Sequence, residues 1–185
     1  MACKSAIISP HETPTHPHFD FSPFDLHWGQ PAPAIAQPIT VYFSPKGGCT
    51  EAIIQELDKA QKSVLVQAYS FTSAPIAEAL LNARKRGVKV EVILDKSQRK
   101  EKYSSADFLA HSGINTLIDS AHAIAHNTIM IIDGETVITG SFNFTKAAEE
   151  KNAGNLLVIR DRALAEKYIK NWQEHEGHSE VYKGR

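Results

Sequence analysis

The segment Ile129-Met130-Ile131-Ile132-Asp133-Gly134-Glu135-Thr136-Val137-Ile138-Thr139 is the part of the chain from which the fold is best predicted. Two apolar, β-branched runs flank an Asp-Gly pair, and Asp-Gly between such runs is a strong local signal for a β-hairpin. The segment therefore predicts two antiparallel strands joined by a tight turn. Because the strands of a hairpin run in opposite directions, residues just before the first strand and just after the second lie at the same end of the sheet.

Polar residues flank the hairpin at this shared end. His126 comes just before the first strand, and Gly140-Ser141-Phe142-Asn143 follows the second. The hairpin is therefore expected to bring His126 close to Ser141 and Asn143. By itself, a histidine at the edge of a strand is more simply explained as a structural residue with its hydrogen bonds satisfied.

The rest of the chain alternates short β-type runs with helical periodicity. Strands are predicted at residues 39–43, 64–69, 88–94, 116–118 and 155–159. Helices are predicted to begin at the N-cap residues Thr50, Ser73 and Asp161, with a short helix at 106–111. The strand–helix–strand order over 64–94 is that of a βαβ unit, whose two strands are parallel. We therefore expect an α/β/α sandwich around a mixed, largely parallel sheet.

The two ends of the chain depart from this pattern. Residues 1–38 are rich in Pro and His without sustained periodicity, and we interpret them as an extended arm or linker before a domain at 39–185. His11, His16 and His18 are expected to be solvated loop residues, the other interpretation being an adventitious metal-binding tract. The polar residues after Trp172 are expected to be frayed.

Composition sets broad limits on function. The 185 residues suffice for one domain with a good core, and the formal net charge of −1 means that a polyanionic partner would need a local basic patch. Cys3 and Cys49 are predicted to be free thiols. No stretch approaches the about 18 apolar residues of a membrane span. No apolar region precedes the cleavage-like Ala34-Ile35-Ala36, so no signal peptide is predicted and the compartment stays open.

The region around the hairpin resembles the phospholipase D superfamily, and in particular its small bacterial nucleases. The signature of that family is His-x-Lys-x4-Asp, followed a few residues later by Gly-Ser-x-Asn. The matching residues here are His126-Asn127-Thr128, Asp133 and Gly140-Ser141-Phe142-Asn143. Further similar segments are Tyr69-Ser70-Phe71-Thr72, Arg86-Gly87-Val88, Phe144-Thr145-Lys146-Ala147-Ala148 and Lys151-Asn152. The likeness spans roughly residues 39–172.

The resemblance implies a phosphodiesterase that uses neither a metal nor another cofactor. His126 would attack phosphorus and form a phosphohistidine, while Ser141 and Asn143 would donate hydrogen bonds to the phosphoryl oxygens. We expect Asp133 to tie the turn to nearby backbone rather than to carry a proton. We find no metal-binding cluster in the sequence. His122 and His126 are four residues apart, but the flanking residues look extended rather than helical, so the two are not expected to bind a metal as a helical pair.

A second histidine is needed to protonate the leaving oxygen, and the chain carries only one copy of the motif. The resemblance therefore implies a homodimer that pools one motif from each chain across a two-fold axis. The implied substrate is DNA or RNA, read with little sequence preference through phosphate contacts. The candidate phosphate-binding residues are Lys146 and Lys151, together with Lys96, Arg99, Lys100 and Lys102.

Two positions depart from the family pattern. Thr128 stands where the motif has its lysine, and Gly154 stands where these nucleases usually carry a glutamate that orients the histidine. Losing one such stabilising contact costs on the order of 10²–10³ in rate. The sequence thus indicates an impaired nuclease. The alternatives are a catalytically dead, dimeric nucleic-acid-binding protein and a phospholipid phosphodiesterase.

Overall fold

A mixed β-sheet of eight strands is the frame of the molecule in the computed structural model, which describes residues 39–185. The predicted N-terminal arm, its histidines, the Ala34-Ile35-Ala36 segment and Cys3 lie outside the described residues. The strands are β1 Ile39–Ser44, β2 Ser63–Ala68, β3 Lys89–Asp95, β4 Asn115–Asp119, β5 Thr128–Ile132, β6 Thr136–Gly140, β7 Gly154–Arg160 and β8 Glu180–Val181. The helices are α1 Cys49–Lys59, α2 Ala74–Lys85, α3 Ala106–His111, α4 Lys146–Glu150 and α5 Arg162–Glu176, with one 3-10 turn at Lys96–Arg99.

The strand order is β1-β7-β6-β5-β2-β3-β4-β8. The predicted βαβ unit is present, because β2 and β3 pair in parallel across α2. The expectation of a largely parallel sheet is wrong. Within residues 39–185 only β2–β3 and β3–β4 pair in parallel, while the other five pairings are antiparallel. One reason is that β5 and β6 are joined by a tight turn, which forces an antiparallel return, whereas α2 and α3 lie in the crossovers that make β2, β3 and β4 parallel.

Helices cover both faces of the sheet, which confirms the predicted α/β/α class. One face packs against α1, α2 and α3 through a large apolar core that includes Ile53, Leu80 and Leu109. The other face packs against α5, where Ala165 and Trp172 are almost completely buried. The indole Nε1 of Trp172 donates a hydrogen bond of 3.0 Å to the carbonyl of Val66, so the ring is both packed and paired. No helix among residues 39–185 has the length and apolar character needed to cross a membrane.

The helix starts follow the predictions at two of three sites. Ser73 precedes α2, and the Asp161 carboxylate accepts from the backbone amide of Leu164 at the start of α5. Thr50 is not a cap, because α1 already begins at Cys49. The start of α1 is capped instead by a residue distant in sequence: the Glu149 carboxylate accepts hydrogen bonds from the backbone amides of Gly48 at 3.3 Å and Thr50 at 2.8 Å.

Cys49 is a free and fully buried thiol, as predicted. Burial, followed by the nearby charge of Glu149, raises its pKa to about 11. The thiolate is the nucleophilic form of cysteine, so this side chain serves as a small core residue.

The segment after Trp172 is ordered, contrary to the expectation of a frayed end. The helix α5 continues to Glu176, and β8 then pairs with β4 at the edge of the sheet. Tyr182 is buried and its hydroxyl donates to the Asp107 carboxylate at 2.6 Å, while the Arg185 guanidinium contacts the same carboxylate at 2.9 Å. The composition of this segment did not predict its order, because the segment is held by a short strand pairing and by the contacts of Tyr182 and Arg185 with Asp107.

Asp133 ties the β5–β6 turn to the segment that precedes β2. Its carboxylate accepts hydrogen bonds from the backbone amides of Gln61 at 2.9 Å, Lys62 at 2.7 Å and Ser63 at 3.0 Å. Its own backbone has φ 56°, a left-handed conformation that Asp and Asn tolerate better than most residues. Burial raises the pKa of Asp133, but the three amide hydrogen bonds outweigh burial and leave the pKa below its usual value.

We expect Asp133→Asn to lower the free energy of unfolding by about 1–3 kcal/mol at pH 7, because the amide cannot replace the charge-assisted hydrogen bonds. A lowered carboxyl pKa gives stability that is present above the unfolded-state value, about 3.9, and is lost as the pH falls through the folded-state value. The difference between the two proteins should therefore shrink below about pH 4. Urea unfolding across pH checks this, with the exposed Asp58→Asn as control. An equal loss at both pH extremes would contradict it.

Candidate active site

His126 lies at the edge of the sheet, two residues before β5, and its side chain is exposed. The imidazole stacks on the ring of Tyr69, with centroids 4.6 Å apart and planes inclined by 30°. Tyr69 is itself fixed, because its backbone amide donates to the carbonyl of Asn127 at 2.8 Å. The stacking therefore holds the exposed imidazole against the ring of Tyr69.

Ser141 and Asn143 follow β6 and lie at the same edge, as the hairpin predicted. Phe142 and Phe144 alternate with them and are buried to 1% and 0% exposure, so the alternation directs the two polar residues away from the core. The Ser141 hydroxyl accepts from the backbone amide of Asn155 at 3.0 Å. The loop is thus anchored by apolar packing on one side and by β7 on the other.

Gly140 allows β6 to approach β7 closely at this point. Its φ of 148° lies in a region that other residues rarely adopt, and a Cβ there would meet the carbonyl oxygen of Asn155 at 2.2 Å. The first residue of the Gly-Ser-x-Asn motif is therefore required by backbone geometry, and it sets the positions of Ser141 and Asn143.

Thr128 is the first residue of β5 and is 8% exposed. Its hydroxyl donates a hydrogen bond of 3.3 Å to the Asn143 side-chain oxygen. This contact links the two halves of the motif directly. It also turns the Asn143 carbonyl inward, which leaves the amide nitrogen as the group available for a ligand. Threonine supplies no positive charge at this position.

Gly154 begins β7 opposite Ser44 and beside Ser141. It has no side chain with which to orient the His126 ring. A Cβ built on it would lie 3.1 Å from the Ser44 hydroxyl and 3.3 Å from the Ser141 hydroxyl, both of which rotate about one bond. A Cβ is therefore accommodated here if these hydroxyls shift by a few tenths of an ångström.

Asp133 is not brought to this edge. It follows β5, whereas His126 precedes it, so the whole strand separates the two residues. Its carboxylate accepts hydrogen bonds from the backbone before β2, at the opposite end of β5 from His126.

The predicted phosphate-binding residues fall into two groups. One groove is lined by Lys96, Arg99 and Lys100 together with Tyr69, and it therefore borders the stacked His126 ring. A separate groove holds Lys146 and Lys151.

Several of these cations already have partners. Arg99 contacts the Glu180 carboxylate at 2.5 Å, and Lys146 lies 3.6 Å from Glu150. Lys96 donates to the backbone carbonyl of His122 at 2.8 Å. Lys102 lies over the Tyr103 ring, outside the first groove. Lys100 and Lys151 are both exposed; Lys100 lines the first groove and Lys151 lines the second.

The structure also assembles a cluster that the sequence interpretation did not contain, formed by Asp119, His122, His175 and His178. The overlooked signal is a pair of short spacings, Asp119-x-x-His122 and His175-x-x-His178. Burial raises the pKa of the Asp119 carboxyl, but the hydrogen bonds from the three imidazoles outweigh it and hold the pKa well below its usual range. These residues are the ones in the described chain that could hold a metal ion.

Comparisons with known proteins show which family the chain resembles. The family model described as "Cardiolipin synthase, PLD-like domain" matches residues 53–175. The chain is 44% identical over 144 residues to phospholipase D of Rickettsia typhi, covering 78% of this chain and 71% of that protein. It is 30% identical over 122 residues to the mitochondrial cardiolipin hydrolase of Xenopus tropicalis, covering 64% of this chain and 58% of that protein.

A solved structure shows the same fold. Nuc of Salmonella typhimurium, a phospholipase D family member, superimposes with a TM-score of 0.76 at 38% sequence identity, covering 79% of this chain and 98% of that one. The residues matched by the family model include His126 and the Gly-Ser-x-Asn loop. The chain therefore belongs to the phospholipase D superfamily of phosphodiesterases, among its small members with one motif per chain.

Proposed function

We propose that this chain is a metal-independent endonuclease that cuts DNA or RNA without sequence preference through a phosphohistidine on His126. The observation that carries the proposal is the exposed His126 ring, stacked on Tyr69 at the edge where Ser141 and Asn143 also lie. A groove lined by Lys96, Arg99 and Lys100 meets Tyr69, so the histidine borders a surface suited to a phosphate backbone.

In the first step a ring nitrogen of His126 attacks phosphorus in line with the leaving oxygen. The new N–P bond forms as the P–O bond to the leaving nucleoside breaks, and the leaving oxygen takes a proton from an imidazolium. The amide of Asn143 and the hydroxyl of Ser141 donate to the phosphoryl oxygens as charge builds on them. In the second step water attacks phosphorus, loses its proton to the now neutral second imidazole, and frees His126.

The second imidazole is the His126 of another copy of this chain, because the chain has a single motif. A two-fold axis beside the site would place the two exposed rings on opposite sides of one phosphodiester. Each histidine starts in a different protonation state, one neutral for attack and one charged for proton donation, which neutral pH permits.

Turnover should be slow compared with a chain that carries the full motif. Thr128 gives a hydroxyl where a cation would neutralise the phosphate, and that hydroxyl is already bound to Asn143. Gly154 leaves the His126 ring held only through its support on Tyr69. Each loss removes stabilisation from the transition state more than from the bound substrate, so we expect the rate to fall more than the affinity.

Nicking of supercoiled plasmid in excess EDTA tests the proposal. We expect slow nicking that persists in EDTA, falls at least about 10³-fold in His126→Ala and is retained in His111→Ala. DNA retarded on a gel without any product would instead make the chain a nucleic-acid-binding protein.

A phospholipid phosphodiesterase is the second candidate. Relatives that share 44% and 30% identity are named phospholipase D and cardiolipin hydrolase. Ile124 lies in the groove that Tyr69 lines and is 58% exposed, which a lipid surface would cover. Headgroup release from anionic vesicles, by protein that leaves plasmid intact under matched conditions, would favour this candidate over the nuclease.

A mixing experiment tests the shared site. After subunit exchange, about a ninefold excess of His126→Ala should lower nicking per wild-type chain by roughly tenfold, because a mixed dimer retains only one histidine. A matched excess of Asp58→Asn, which leaves the site complete, should have no such effect. Nicking that is unchanged by the His126→Ala chain would mean that one chain holds the whole site.

Restoring the family residues should raise the rate. We expect the double substitution Thr128→Lys, Gly154→Glu to increase nicking by on the order of 10²–10³ with a smaller change in DNA affinity. Thr128→Met with Gly154→Gln is the matched control, since it supplies similar length without either charge. Equal rates for the two double variants would show that charge at these positions is not what the site lacks.

A further inference from the structure

A cluster of metal-ligand side chains lies where β4 ends against the C-terminal end of α5. Asp119 is the last residue of β4 and is fully buried. His122 lies in the loop that follows, and His175 and His178 lie at the last turn of α5 and just beyond it. One ligand atom from each residue lies within 4.8 Å of every other.

Three ring nitrogens converge on one carboxylate oxygen. The Oδ2 atom of Asp119 is 2.9 Å from His122 Nδ1, 2.8 Å from His175 Nδ1 and 3.4 Å from His178 Nε2. A carboxylate oxygen offers two lone pairs, so three N–H donors exceed what it accepts well. The same set of atoms satisfies a cation without conflict, because each neutral imidazole then offers a lone pair rather than a proton.

The ring arrangement also suits a metal ion. The three imidazole centroids are 4.9, 5.1 and 5.2 Å apart, so the rings form a nearly equilateral triangle. The buried carboxylate supplies the fourth corner. Its other oxygen accepts from the backbone amide of Ala121 at 3.0 Å, an outer contact of the kind that orients metal ligands.

We propose that Asp119, His122, His175 and His178 form a structural zinc site. Three imidazole nitrogens and one carboxylate oxygen in tetrahedral array are a ligand set that Zn²⁺ takes readily. Four protein ligands close the coordination sphere, which is the pattern of a structural rather than a catalytic site. The inference concerns binding alone and does not depend on the proposed nuclease activity.

The zinc would fix the loop at 120–127, which also carries His126. That loop is held at two further points, by Lys96 Nζ on the His122 carbonyl at 2.8 Å and by the Asp95 carboxylate on the Ala125 amide at 2.8 Å. Zinc would add a third anchor and would join the loop to α5.

Zinc titration of the full-length, chelator-stripped chain against a chromophoric competitor tests the proposal. We expect one tightly bound zinc per wild-type chain and at least about 100-fold weaker binding in His122→Ala and in His178→Ala. Both side chains are partly exposed, at 46% and 36%, so their removal leaves the core intact. Circular dichroism of each variant verifies that it is folded.

Two control variants separate this site from the other histidines. His111→Ala should bind as wild type does, and so should a variant in which His11, His16, His18 and His27 are all alanine. Tight binding that persists in His122→Ala and His178→Ala, or that disappears with the four N-terminal histidines, would overturn the proposal. So would the absence of tight binding in the wild type.

Cobalt gives a readout of geometry that is independent of affinity. Co²⁺ in the wild type should show the intense visible absorption of a tetrahedral centre, and the band should be lost in His178→Ala. Zinc should also raise the melting temperature of the wild type but not of His178→Ala, because a ligand stabilises only the fold that binds it. A chain that binds zinc as expected yet does not nick plasmid would contradict the proposed function and leave the zinc site standing.

Discussion

The antiparallel pairing of β2 with β5 is the constraint on which the rest of the structure depends. It joins a parallel unit, β2-β3-β4, to an antiparallel unit, β5-β6-β7-β1. Because β5 runs antiparallel to β2, the last residue of β2 lies beside the first residue of β5, at one edge of the sheet. Tyr69, which follows β2, thereby reaches His126, which precedes β5. Every residue assigned to the reaction lies along this edge.

The polar residues at this edge are held in place by buried neighbours in the chain. Phe142 and Phe144 are buried beneath Ser141 and Asn143, and Gly140 lets the loop lie against β7. Ser141 and Asn143 are therefore positioned by the packing of their neighbours and by backbone geometry rather than by ion pairs.

Local patterns predicted much of this from the sequence. The Asp-Gly hairpin and the position of His126 relative to Ser141 followed from strand direction alone, and α3 was predicted to the residue. What sequence could not give were contacts between distant segments. The Glu149 cap on α1, the bonds of Tyr182 and Arg185 to Asp107, and the pairing of β5 beside β2 each join residues far apart in the chain. The Asp119 cluster belongs with them, since its two halves meet only after α5 packs on the sheet.

The placement of Thr128 and Gly154 at the first positions of their strands has an evolutionary consequence. Residues in the middle of β5 and β7 are committed to the core, so changes there are opposed by selection for a folded protein. Gly154 is only half-buried, and Thr128, although buried, contacts the polar side chain of Asn143 and belongs to neither apolar core cluster. Under the proposed function, substitutions at these two positions would change the cleavage rate at little cost in folding, and selection on substrate turnover would then decide which residues persist.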